Sequence, residues 1–117
     1  AYRWEGDGVA VGYTGDTAPS REVAVFLAGC DLVVSECSFT DPAPEGEHLS
    51  PASVAEMARV MDPSLLLITH VYPWQSPEEA ARLIGERWPG RVEAARDGTT
   101  VRLGAGEPTL DRPGTPR

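Results

Sequence analysis

Leu65-Leu66-Leu67-Ile68-Thr69 is the stretch that most restricts what this chain can become. It is the most apolar run in the sequence and carries no charge, so it belongs centrally in a sheet. Both of its flanks read as helices. Ser50-Pro51 opens the upstream one, with proline at the first position, where no N–H is needed. Val54, Met57, Ala58 and Met61 form its apolar stripe, and Asp62-Pro63 ends it. Downstream, Ser76-Pro77-Glu78-Glu79 is a capping box, and Ala80, Leu83, Ile84 and Trp88 line one face. Pro89-Gly90 stops that helix.

The same alternation runs upstream. Ala1–Glu5 and Val9–Tyr13 read as a hairpin through Gly6-Asp7-Gly8, because Asp-Gly supplies the positive φ of a tight turn. Ser20 is an N-cap, and Val23, Phe26, Leu27 and Cys30 recur at helical spacing, with Gly29 suited to the helix end. Leu32–Ser35 is a short buried strand. Arg91–Ala95 and Thr99–Leu103 are expected to form a terminal hairpin through Asp97-Gly98. Gly104–Arg117 is rich in Pro and Gly and is expected to be a frayed, flexible tail. Strands alternating with helices give an α/β layered fold, with parallel pairing in the middle of the sheet.

Charge and composition exclude several chemistries. Net charge is −8 and all ten basic residues are arginine. Without lysine there is no P-loop lysine, Schiff-base lysine or Ser-Lys pair. The acidic balance argues against this segment as the main nucleic-acid surface, though a phosphate substrate approached through metal ions remains open. Cys30 and Cys37 form no CxxC and read as reduced packing residues of a cytoplasmic protein. No apolar run is long enough to span a membrane, and no N-terminal signal is visible.

The chemistry-bearing residues fall in one pattern. Asp16 follows the strand that ends at Tyr13, Glu36 closes Leu32–Ser35, and His70 closes Leu65–Thr69. Ligands in open α/β sheets bind outside the carboxyl ends of strands. His48 precedes a helix on the same side, and His48 and His70 are the only histidines. Each residue also has a plainer use. Asp16 suits a turn or an N-cap, and Glu36 an ion pair with an arginine. His48 suits a solvated loop, and His70 a half-buried hydrogen bond. Asp41, Glu45 and Glu47 read as solvated loop charges. Tyr72, Trp74 and Trp88 read as packing residues, with Tyr72 and Trp74 able to line a mouth beside His70.

Tyr13-Thr14-Gly15-Asp16-Thr17, Ser35-Glu36-Cys37-Ser38-Phe39, His48-Leu49-Ser50 and Leu66-Leu67-Ile68-Thr69-His70, in that order, resemble a known family. They are similar to the C-terminal half of a metallo-β-lactamase-fold hydrolase, most of all its ribonuclease Z and phosphodiesterase branch. The resemblance extends from about Ala1 to Leu103 and implies half of an αββα sandwich, a mixed sheet with helices on one face. It implies that Asp16 bridges two zinc ions, with manganese possible, and that His70 is the last histidine ligand. It implies that His48 assists the leaving oxygen and that Glu36 supports His48. Glu-Cys-Ser-Phe departs mildly from the Glu-Ala-Thr-Phe-like segment of that branch.

The family's His-x-His-x-Asp-His segment is absent from this sequence. Zinc takes about four ligands, or three and a water, so this chain is expected to supply only part of a binuclear site. A missing N-terminal half, or another chain, is the expected partner, with an exposed apolar face on the Ala1 side and a homo-oligomer as the expected assembly. The expected substrate is a phosphodiester or an RNA 3′ end. The alternatives are a non-catalytic interaction domain and a thioester or lactone hydrolase of the same fold.

Overall fold

The computed structural model describes residues 1–42, 48–73 and 75–113. Strands β1 (Tyr2–Gly6) and β2 (Val9–Tyr13) form the hairpin expected from Asp7-Gly8, both of which have positive φ. Helix α1 (Arg21–Phe26), β3 (Leu32–Glu36), α2 (Pro51–Met61), β4 (Leu65–Thr69), α3 (Pro77–Gly85) and β5 (Val92–Ala94) then alternate. The main sheet has the order β1-β2-β3-β4-β5. β1 is antiparallel to β2, and β2 through β5 are parallel neighbours. Crossovers of one hand that step steadily in one direction put every connecting helix on the same face.

The pleat divides the sheet residues between two apolar clusters. Ala10, Val33, Leu66, Ile68 and Ala94 face the helices and meet Leu27, Val54, Met57, Ala58, Met61, Ile84 and Trp88. Leu32, Leu65 and Leu67 point the other way. β4 is therefore apolar on both faces, as a central parallel strand must be. Cys30 and Cys37 are free and buried in the helix-side cluster, and burial pushes the Cys37 thiol up to about 12. Among the described residues, no helix is long and apolar enough to cross a membrane.

Gly12 sets the spacing between β2 and the end of α1. A Cβ there would lie 2.7 Å from Leu27 Cδ2 and 3.2 Å from Cys30 Sγ. Both neighbours are buried, so neither can swing away freely. Gly12→Ala is expected to lower stability by about 1–3 kcal/mol, read as an earlier midpoint in denaturant unfolding.

Three expectations are corrected. α1 ends at Phe26 rather than running on to Cys30. Leu27 caps it, Gly29 turns at φ +80°, and the Gly29 N–H donates to the Met61 carbonyl. Phe26, read as a core position, is 49% exposed, because Ala24 and Leu27 carry the face that meets the core and Phe26 lies off it.

The terminal hairpin is not formed between the two segments flanking Asp97-Gly98. The turn itself is present, with Gly98 at φ +82° and the Thr99 N–H donating to the Arg96 carbonyl. Beyond it the strands part. β5 extends the main sheet beside β4, whereas β6 (Thr100–Arg102) pairs with β7 (Thr109–Asp111) in a separate two-stranded sheet. The reason is burial: Val101, Leu103 and Leu110 pack on Leu32, Leu65 and Leu67, which the helices leave bare.

β7 lies inside the segment expected to fray, so the tail is structured at least through Asp111. Arg91 and Arg112 tie it back, donating to the Pro108 and Ala94 carbonyls. Residues 114–117 lie outside the described set.

Among the described residues, the sheet face beside β6 and β7 is uncovered toward β1. Tyr2 and Trp4 are 61% and 56% exposed, and Tyr2 stacks on both Trp4 and Tyr13.

Candidate functional site

Three loops converge at the carboxyl ends of β2, β3 and β4. The first follows β2. Thr14 is buried, its N–H donates to the Val34 carbonyl, and its Oγ1 accepts from the Glu36 N–H. Gly15 then turns at φ +61°, where a side chain would be strained, and Asp16 emerges with its carboxylate 62% exposed.

Glu36 ends β3 and is fully buried. Its carboxylate gathers donors from three segments. Oε1 accepts from the Leu49 N–H at 2.9 Å and the Thr17 N–H at 3.4 Å. Oε2 accepts from the Ser38 N–H at 3.0 Å and the Ser38 hydroxyl at 2.8 Å. No arginine reaches it among the described ion pairs, so the plainer reading of Glu36 as an arginine partner fails. The Glu36 carboxylate instead fixes the loops that carry Asp16 and His48.

His48 enters the site just before α2. Leu49 beside it is fully buried, and its carbonyl accepts from the Phe39 N–H. His48 Nδ1 lies 3.4 Å from Glu36 Oε1, and its Nε2 lies 3.5 Å from the Tyr72 hydroxyl. Asp41, expected to be a solvated charge, caps α2 by accepting from the Ala52 N–H. Glu45, Glu47 and Trp74 lie outside the described residues.

His70 leaves β4 at φ +53°, a left-handed conformation uncommon for a residue with a Cβ and enriched in histidine. That turn sends its ring back over the strand ends. Nδ1 lies 3.2 Å from Asp16 Oδ1. The His48 and His70 ring centroids are 5.8 Å apart, with Tyr72 edge-on to both.

Asp16, His48 and His70 each offer a ligand atom, and these atoms lie within 4.8 Å of one another. One carboxylate and two imidazoles, partly open to solvent on one side, form a donor set suited to zinc or a similar divalent metal. The residues present therefore fit a metal, although a zinc site asks for about four donors or three with water. The resemblance did not count His48 among the ligands, yet the fold places it within reach of the same point.

The resemblance assigns Ser38 no role. It is fully buried and its hydroxyl approaches Glu36, His48 and His70 together. The signal for it is a small hydroxyl two residues after a buried carboxylate. That pattern acquires meaning only when the other loops close over it.

Residues 1–71 match the family described as the beta-lactamase superfamily domain. An uncharacterised protein of Mycobacterium leprae is 29% identical over 102 residues, which is 86% of this chain and 36% of that protein. Ribonuclease Z of Pyrobaculum aerophilum is 36% identical over 72 residues, 55% of this chain and 25% of that enzyme. Ribonuclease Z of Aeropyrum pernix is 35% identical over 81 residues, 66% of this chain and 26% of that enzyme.

Among solved structures, the metallo-β-lactamase-fold protein YhfI of Bacillus subtilis superposes with a TM-score of 0.72 at 22% identity, over 80% of this chain and 40% of its own. A diphosphatase of the PhnP family gives 0.58 at 19% identity, over 83% of this chain and 35% of its own. The mixed sheet with helices on one face is thus the metallo-β-lactamase fold. The chain spans between a quarter and about a third of the length of these curated relatives.

Proposed function

The chain belongs to the beta-lactamase superfamily, and from that premise we propose that it supplies part of the binuclear site of a zinc-dependent phosphodiester hydrolase. The observation that carries this reading is the convergence of Asp16, His48 and His70 on one point, with Glu36 buried behind them. The ribonuclease Z relatives support an RNA substrate.

Asp16 and His70 would hold metal, a carboxylate having two oxygens with which to bridge. Zinc bound there would activate water and stabilise charge on the attacking and leaving oxygens. The protein's own part is proton handling and orientation. Glu36 Oε1 sits beside His48 Nδ1 and orients the ring, with Nε2 turned toward Tyr72 and the solvent side. When Nε2 carries a proton, His48 would give it from there to the departing oxygen.

The remaining ligands would come from outside these residues, from another segment of the same protein or from a second chain. Tyr2, Trp4, Val11, Tyr13 and Val34 offer that partner an apolar sheet face, continuous with the layer that β6 and β7 begin. With net charge −8, this chain is a poor grip for RNA, so an RNA substrate would be held by basic surface elsewhere. The free, buried thiols are in keeping with a cytoplasmic setting.

The test uses the intact protein, its metal content and a model phosphodiester. Hydrolysis lost on chelation and restored by zinc is expected. His48→Ala is expected to keep metal bound and to slow turnover by about 10²–10⁴-fold, the usual worth of a general acid. Loss of metal together with turnover would make His48 a ligand instead. Bound metal with activity only on thioesters or lactones would sink the phosphodiesterase reading.

A further inference from the structure

The Ser38 hydroxyl has one proton and faces more than one acceptor. Glu36 Oε2 is at 2.8 Å and the His70 carbonyl at 3.1 Å. The carboxylate is the nearer and the charged one, so it takes the proton. Ser38 Oγ then has only lone pairs left to offer. Two ring nitrogens face it, His70 Nδ1 at 3.3 Å and His48 Nδ1 at 3.4 Å.

The other polar neighbours of those nitrogens are acceptors too. His48 Nδ1 has Glu36 Oε1 at 3.4 Å, and His70 Nδ1 has Asp16 Oδ1 at 3.2 Å. Each Nδ1 is therefore enclosed by acceptors and carries the hydrogen. The Nε2 lone pairs are left free, and on His48 the Tyr72 hydroxyl is placed to donate to one.

The two rings differ in what holds them. His48 has a fully buried carboxylate beside it as well as Ser38. The second acceptor of His70 is the 62% exposed Asp16, which water competes for. Among the described residues, Ser38 is the fully buried side-chain acceptor at His70 Nδ1.

We propose that Ser38, its proton committed to Glu36, is the positioning residue that holds His70 in the Nδ1–H tautomer and leaves the Nε2 lone pair as its ligand atom. Glu36 thereby governs both histidines, His48 directly and His70 through the serine hydroxyl. The metal-binding consequence rests on the function proposed above. The tautomer assignment does not, because it is read in the metal-free protein.

The experiment is a long-range proton–nitrogen correlation spectrum of the ¹⁵N-labelled, metal-free intact protein. It is recorded at alkaline pH, with the neutrality of both rings read from the ring-nitrogen shifts themselves. In the unmodified protein, His48 and His70 should both show the Nδ1–H pattern. Ser38→Ala should move His70 toward the Nε2–H form that neutral imidazole favours in water, while His48 stays as it was. Ser38→Cys, which keeps the volume but is a weak acceptor, should do the same, and Ser38→Thr should restore the original pattern.

A general loosening of the site would shift both rings together. That outcome, an Nε2–H pattern for His70 in the unmodified protein, or no change in His70 on Ser38→Cys, would each overturn the assignment. Zinc affinity of Ser38→Ala is expected to fall by about 10–100-fold, as for other partners that orient a metal ligand. Absence of zinc binding in the unmodified protein would defeat the hydrolase reading and leave the spectra to decide the tautomer.

Discussion

Under the proposed function, replacing Asp16 with alanine abolishes hydrolysis and metal binding by the intact protein while leaving it folded. That is the expected result, and its two halves have separate causes. The Asp16 carboxylate is 62% exposed, and its described contact is with His70 Nδ1. An exposed group with one partner contributes little to stability, so the change should stay within about 0.5 kcal/mol.

The functional loss should be large. Partners that merely orient a ligand cost about 10–100-fold in metal affinity when removed, and a ligand, the role proposed for Asp16, should cost more than about 100-fold. Metal content and turnover of a model phosphodiester measure one half, and denaturant unfolding of the metal-free protein the other. If Asp16→Ala retains both metal and turnover, Asp16 is a turn residue and the site lies elsewhere.

Glu36→Ala is expected to do the reverse and unfold the site before any question of chemistry arises. Four donors end on this buried carboxylate: the Ser38, Leu49 and Thr17 N–H groups and the Ser38 hydroxyl. Removing the acceptor leaves donors facing a cavity that water reaches poorly. Each unsatisfied group costs about 1–3 kcal/mol, and losing one side of a buried charged network about 3–5 kcal/mol.

Glu36→Ala should therefore destabilise by about 3–5 kcal/mol. Glu36→Gln should cost less, about 1–3 kcal/mol, because it keeps one acceptor oxygen but turns an NH₂ toward existing donors. Equilibrium unfolding of both variants decides it. A Glu36→Ala protein as stable as the parent would show that Glu36 does not hold the loops together.

The contrast between these carboxylates shows where sequence reading reaches its limit. Both follow an apolar strand, and both sit among small hydroxyl residues. Nothing local says that one is buried with four donors and the other exposed at the mouth. Burial is decided by what closes over the strand end. For Glu36 that is the Leu49 segment and Ser38, brought from later in the chain; for Asp16 no described segment does so.

The terminal strands teach the same lesson. Asp97-Gly98 makes the expected turn, but the partner of Thr100–Arg102 is Thr109–Asp111. Local turn chemistry cannot see that Leu32, Leu65 and Leu67 need covering on the face away from the helices.

The sequence by itself determined the order of strands and helices, the central place of Leu65–Thr69 and the side of the sheet on which Asp16, Glu36, His48 and His70 would gather. Those follow from short-range physics: periodicity, caps, turns and the rule that each strand in a parallel run ends on the same side. Only the tertiary structure decided how these residues divide their work. Whether a carboxylate binds outward or braces inward, and which nitrogen of a histidine keeps its hydrogen, depend on acceptors supplied by residues far apart in the chain. Ser38 shows this most directly, since its one hydroxyl meets Glu36, His48 and His70 only after three loops have closed on it.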